Sequence, residues 1–267
     1  MQIDSSVKEL QARELEILKA LAQVFEKNGI DFWLAYGTVL GCVRHQGFIP
    51  WDDDIDIYVR GEDYPKIRKI FAEQDTGFLA LHDHTTAEGY PYVFPKVIDK
   101  RTKLKEKTFA HLDYVGGVYV DIFLLFDVPN NKMVRAIKQK QRYFRYALVR
   151  GAYSNTETMG GAKKFATKII KAFVAPKRVQ NRLYKGYLKA LSTKRKLVTE
   201  PNVFTEKNLS PKTYFSGAEQ KMFEDVMMPI PLEYENYLTD TYGDYMRLPD
   251  EKDRVSCHDF ALLELND

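Results

Sequence analysis

Two cysteines, Cys42 and Cys257, are all that the 267 residues contain, and no C-x-x-C spacing links them. A disulfide framework and a structural zinc site are thereby excluded, and the expected setting is a reducing, cytoplasmic compartment. Long apolar runs are missing as well. No segment approaches the ~18 uninterrupted apolar residues that a bilayer-crossing helix needs. The opening stretch MQIDSSVKELQARELEILKALAQ mixes charges throughout, and its lack of an apolar centre or small-residue cleavage site argues against a signal peptide. Acid is scarce in one third of the chain. Between Asn131 and Glu200, nineteen Lys and Arg face two Glu, although the formal net charge of the whole is only +3. This basic block has two readings, a surface for a polyanion or an anionic membrane and a solvated helical face with snorkelling stems. Nucleic acid is not expected as a partner, because no recognisable binding module accompanies the charge. Internal repeats and low-complexity linkers are absent too.

What is present suffices for a folded protein. A hydrophobic content of 45% over this length can bury one large core or two closely packed ones. Ser6 and Glu9 form a capping box, Val7, Leu10, Ile17, Leu18, Leu21, Val24 and Phe25 share a face, and Gly29 stands where a helix would end. A short buried strand, IDFWLAY, then leads through a Gly37-Thr38 turn into a helix over VLGCVRH. In DDDIDIYVR, Ile55, Ile57 and Val59 alternate with Asp54, Asp56 and Tyr58, the pattern of a strand with one dry and one polar face. YPKIRKIFAEQ reads as a covering helix, and further strands are expected from Tyr92 to Ile98 and over GVYVDIFLLFDV. After Pro129 the pattern becomes helical and basic, and from about Tyr214 it returns to an acidic and aromatic character. The expected division is a core over residues 1–129, a basic helical region over 130–213 and a C-terminal segment over 214–267 that packs back on the core.

Four aspartates, Asp52, Asp53, Asp54 and Asp56, crowd the mouth of an apolar strand. On an extended chain Asp52, Asp54 and Asp56 share a face while Asp53 points away, which makes Asp53 the dispensable one. Carboxylates so close resist joint ionisation unless a cation sits among them, and hard oxygen ligands suit Mg²⁺ or Mn²⁺. The competing reading, a solvated acidic turn, loses ground because the acids run straight into Ile and Val, where uncompensated charge is costly. An EF-hand is excluded: counting from Asp52, Ile57 occupies the position that requires Gly and Asp63 the one that requires Glu. Asp121, inside VYVDIF, is a candidate third ligand. Glycine at position 37 allows close backbone approach, and free amides at the following helix start favour a phosphate. Together Gly37, Thr38, Asp54, Asp56 and Asp121 describe a metal-dependent phosphoryl-transfer site.

These residues carry a resemblance. AYGTVLGCVRHQGFIPWDDDIDIYV resembles the signature of LicD-type proteins, phosphocholine transferases of bacterial surface polymers with relatives in the fukutin group, and VYVDIFLLFDV and YGDYMRLPDEKDR are similar to that family's later motifs. The resemblance spans nearly the whole chain and is thinnest across the basic block. It implies an α+β, nucleotidyltransferase-like mixed sheet flanked by helices, with the basic helical region inserted or appended. It further implies that Asp54 and Asp56 form the carboxylate pair, that Asp121 is the third acid, and that Gly37-Thr38 holds phosphate. The implied reaction moves phosphocholine from CDP-choline to a sugar hydroxyl of a teichoic acid or similar lipid-linked glycopolymer precursor and releases CMP; with such an acceptor, the membrane reading of the basic block would put the cytoplasmic protein in peripheral contact with the inner membrane face.

Around that core, Asp52 is a helper ligand, Arg44, His45 and Lys96 are candidates for phosphate, and each competes with an ordinary surface role. Trp51 and Tyr242 are among several aromatic candidates for choline, since quaternary ammonium favours aromatic faces. Asp244 is a candidate acid near choline or the acceptor, against a plain turn after Gly243, and His258 is a weaker acid or base candidate. Two alternatives stay open: a nucleotidyltransferase acting on a small molecule or sugar, and a non-catalytic module that binds polyanions or membranes.

Overall fold

Helix α1 (Ser5–Lys27) buries Leu10, Ile17, Leu18, Leu21 and Phe25 along one stripe. It ends as its sequence requires: Gly29 takes φ +57°, and the amides of Asn28, Gly29 and Ile30 close onto carbonyls of the last turn. The computed structural model describes residues 5–157, 159–188, 195–200, 209–256 and 259–265; Cys257 and His258 lie outside them.

The chain continues through β1 (Phe32–Leu34), α2 (Tyr36–His45), β2 (Asp56–Arg60), α3 (Tyr64–Glu73), β3 (Leu79–His82), β4 (Lys96–Asp99), β5 (Lys103–Glu106) and β6 (Tyr119–Val128). Three basic helices follow, α4 (Lys132–Tyr153), α5 (Gly161–Phe173) and α6 (Pro176–Leu188). They are inserted ahead of β7 (Leu197–Thr199) and β8 (Ser210–Pro211), and β7 returns to pair with the far end of β6. A hairpin of β9 (Ala218–Phe223) and β10 (Val226–Pro231), then α7 (Tyr234–Tyr242) and β11 (Phe260–Glu264), complete the described chain. β11 pairs with β5. The architecture is thus the expected α+β one, a mixed sheet flanked by helices.

The central sheet runs β1-β2-β6-β4-β3, with β2 and β6 parallel and the other neighbours antiparallel. Its register aligns Asp56 of β2 with Asp121 of β6, and Asp121 with Lys96 of β4. Residues paired across neighbouring strands stand on the same face, so one row carries two acids and a lysine.

Two sequence expectations change here. β2 has no wet face: Ile57 and Val59 are inaccessible, and Tyr58 and Asp56 are buried too. Segments far along the chain cover the polar side, as Tyr58 packs edge-on against Phe215 and Tyr237 and shares a 3.2 Å hydrogen bond with the Tyr237 hydroxyl. The strand expected over Tyr92–Ile98 is shortened to β4, because Tyr90 through Phe94 form a connection closed by the Tyr90 hydroxyl donating to the Phe94 carbonyl at 2.8 Å.

Candidate active site

The parallel pairing of β2 with β6 builds the centre. Asp54, half-buried in the loop ahead of β2, joins Asp56 and Asp121 so that one oxygen from each lies within 4.8 Å of the others. Asp52, Asp53 and Asp54 make a second such trio. The Asp56 carboxyl is pushed well above the usual range by burial, then by the charges of Asp54 and Asp121. Burial likewise lifts Asp121 to about 6, against the pull of Lys96, whose Nζ stands 2.8 Å from Oδ1. Asp56 Oδ1 is buried without a hydrogen-bond donor. A buried acceptor left so is costly, and an all-oxygen donor set of clustered carboxylates suits a hard divalent cation. Asp54, Asp56 and Asp121 could therefore hold a metal ion.

Beneath the trio lies the start of α2. The Gly-Thr pair expected as a turn sits inside the helix's first turn, which the chain enters through Tyr36 at φ +42°. A side chain at position 37 would place its Cβ 2.6 Å from Asp52 Oδ2, so glycine leaves room for that carboxylate. Thr38 is buried, and its Oγ1 accepts the Asp56 amide at 2.8 Å, fixing α2 to the first residue of β2.

Two further acids complete the picture, and neither was anticipated from the sequence. Glu14 is 1% exposed on the apolar stripe of α1, and its carboxyl is raised by burial and by Asp54, Asp53 and Asp52. An acid at a core-facing helix position is a signal that periodicity could have found. Glu200, just after β7, is buried and accepts a short hydrogen bond from the Tyr36 hydroxyl. Burial raises its carboxyl to about 8, opposed by Tyr36 and reinforced by Asp121. No local signal marks it, for its partner is 164 residues away.

The other predicted residues divide by position. Lys96 is 3% exposed, wedged between Asp121 and the Tyr119 and Tyr92 rings, whose centroids are 3.3 and 4.3 Å away. Arg44 Nη1 donates to the Tyr245 and Arg247 carbonyls at 2.9 and 3.4 Å, so it clamps the C-terminal segment. Burial lowers the His45 imidazole, which meets Trp51 edge-on at 6.2 Å. Trp51 carries the Arg254 guanidinium 5.7 Å over its ring. Asp53, expected to point away, is 1% exposed and accepts a short hydrogen bond from Ser256. Asp53 therefore anchors the C-terminal segment. Tyr242 and Asp244 are exposed at the end of α7.

Two in-register aspartates on parallel strands and a third in the loop before them thus form one crowded carboxylate centre beside the Gly-Thr start of α2. The family described as LicD/FKTN/FKRP, nucleotidyltransferase domain, matches residues 29–150, the span that holds this centre. A lipopolysaccharide cholinephosphotransferase, LicD of Haemophilus influenzae, is 28% identical over 95% of this chain and 96% of its own length. Human ribitol-5-phosphate transferase FKTN is 39% identical over 67 residues, 25% of this chain and 14% of that protein. An uncharacterized protein of Rickettsia prowazekii, RP689, is 41% identical over 69 residues, 26% of each chain.

Proposed function

We propose that the protein is a metal-dependent phosphotransferase that moves phosphocholine from CDP-choline to a sugar hydroxyl of a surface glycopolymer precursor, teichoic acid or related, and releases CMP. The observation that carries this reading is the row Asp56, Asp121 and Lys96 across three strands, with a donorless Asp56 oxygen and Asp54 beside it. The likeness to LicD of Haemophilus influenzae along nearly the full chain supports choline as the transferred alcohol.

Asp54, Asp56 and Asp121 would hold the cation, with Asp52 at hand. When bound, a divalent ion supplies the positive charge that a diphosphate needs at the moment its bridging P–O bond breaks. Gly37, whose missing side chain makes room for the Asp52 carboxylate, stands with Thr38 at the start of α2, where the helix dipole favours a phosphate. Thr38 holds the Asp56 backbone in place for ligation. Asp121, which burial raises to about 6, has two alternative roles in this reading, as a ligand of the cation or as the acceptor of the proton of the attacking hydroxyl. The new P–O bond joins phosphocholine to the sugar, and CMP leaves with the electrons of the broken one.

The site of action in this reading is the cytoplasmic face of the membrane that bears the acceptor. Among the described residues, no helix is long and apolar enough to cross a membrane.

Product analysis tests the reading. With Mg²⁺ and a panel of CDP-alcohols and nucleoside triphosphates, CMP is expected from CDP-choline. Pyrophosphate from a triphosphate would instead establish a nucleotidyltransferase, which would use the same carboxylates, and no turnover of any donor would point to a binding module.

A further inference from the structure

Helix α5 wears its apolar side outward. Phe165, Ile169 and Phe173 are 68%, 45% and 85% exposed, and Ala162, Ala166 and Ala172 are exposed with them. At 3.6 residues per turn these six residues fall in one arc roughly 120° wide. The opposite side does the packing: Thr167 is buried, and Ile170 meets α4 so closely that a Cβ on Gly151 would come within 3.0 Å of it. α5 is therefore docked, and its apolar arc is left facing away from the protein. Lys163 and Lys168 border the arc, Lys164 and Lys171 follow behind, and the helix contains no acid.

Charge identifies what covers the arc. From Lys132 to Phe173, eleven Lys and Arg face a single acid, Glu157. An apolar strip edged with lysines matches an anionic bilayer at the depth where headgroups meet acyl chains. A second copy of this chain would bring the same cations against themselves.

We propose that α5 lies in the plane of an anionic membrane, with Phe165, Ile169 and Phe173 inserted below the phosphates and Lys163 and Lys168 beside them. Attachment through α5 does not depend on the donor or acceptor chemistry of the carboxylate site. It goes beyond that reading and can fail separately.

Co-sedimentation of the full chain with vesicles tests it, using phosphatidylcholine with and without phosphatidylglycerol. The protein is expected to pellet with the anionic vesicles, and less so at high salt. A Phe165→Ser/Phe173→Ser variant, with unchanged far-ultraviolet circular dichroism, is expected to partition more weakly by on the order of tenfold or more. A parent that ignores anionic vesicles, or a double variant that binds them as the parent does, overturns the proposal. So does a parent dimer that the double variant converts to monomer, since a second copy would then be the occupant.

Discussion

Thr38 shows how a single hydroxyl can serve catalysis without touching substrate. It is buried, and it gives the amide of Asp56 its acceptor at 2.8 Å. Thr38→Val keeps the shape and removes the acceptor, so the loss of stability is expected to be about 1–3 kcal/mol, the cost of a buried unpaired amide. Urea denaturation measures it, and Thr38→Ser should recover most of it. Sequence made Gly37, Thr38, Asp54, Asp56 and Asp121 legible for a common reason. Each is a polar or small residue where the surrounding pattern is apolar. Glu14 obeys the same rule, standing among Leu10, Ile17 and Leu18 on α1, and could have been found by it. Glu200 could not, because what gives it meaning is Tyr36, brought near only by the fold.

Among the elements, the parallel pair β2 and β6 matters most, since its register sets Asp56 beside Asp121 and β4 adds Lys96 to the row. Lys96 and Asp121 are both nearly inaccessible, at 3% and 6% side-chain exposure. Removing one member of a buried pair strands the other, and Lys96→Met is expected to cost ~3–5 kcal/mol at pH 8. The cost should shrink toward pH 5. Asp121 already titrates near 6 with Lys96 beside it and without it would hold its proton higher still, so at low pH no stranded charge remains. Denaturation curves at the two pH values check this. Register and parallel pairing were not readable from periodicity, which marks strands but not their neighbours. The alternation in β2 predicted a wet face that Phe215 and Tyr237 cover, and both arrive more than 150 residues later.

Over the whole molecule charge is segregated, with acids gathered at one centre and the basic helices α4 to α6 set apart in the chain. The acidic centre makes stability depend on pH in a defined direction. Glu200 at about 8 and Asp121 at about 6 both lie above the values of free carboxyls, so the folded state holds more protons than the unfolded one. That stability is complete below the free-carboxyl range and is lost as pH rises through about 6 and then about 8. In EDTA, Tm is therefore expected to fall across this window. Added Mg²⁺ or Mn²⁺ should raise it more at pH 8 than at pH 5, the stabilisation amounting to about 2.7 kcal/mol at a hundredfold excess over Kd. A thermal shift series reads both effects. The fold class was legible through the resemblance carried by the aspartate and later motifs, and the basic helical middle through its composition, whereas the return of β7 to the central sheet rests on pairing alone. The central claim is that the carboxylate row carries phosphocholine transfer, and Asp56→Asn tests it most directly. Substituting an amide for a crowded, buried carboxylate should leave the protein folded and at least as stable. CMP release from CDP-choline by this folded variant, with Mg²⁺ present, is predicted to fall to the uncatalysed background. Release at the parent's rate would contradict the account.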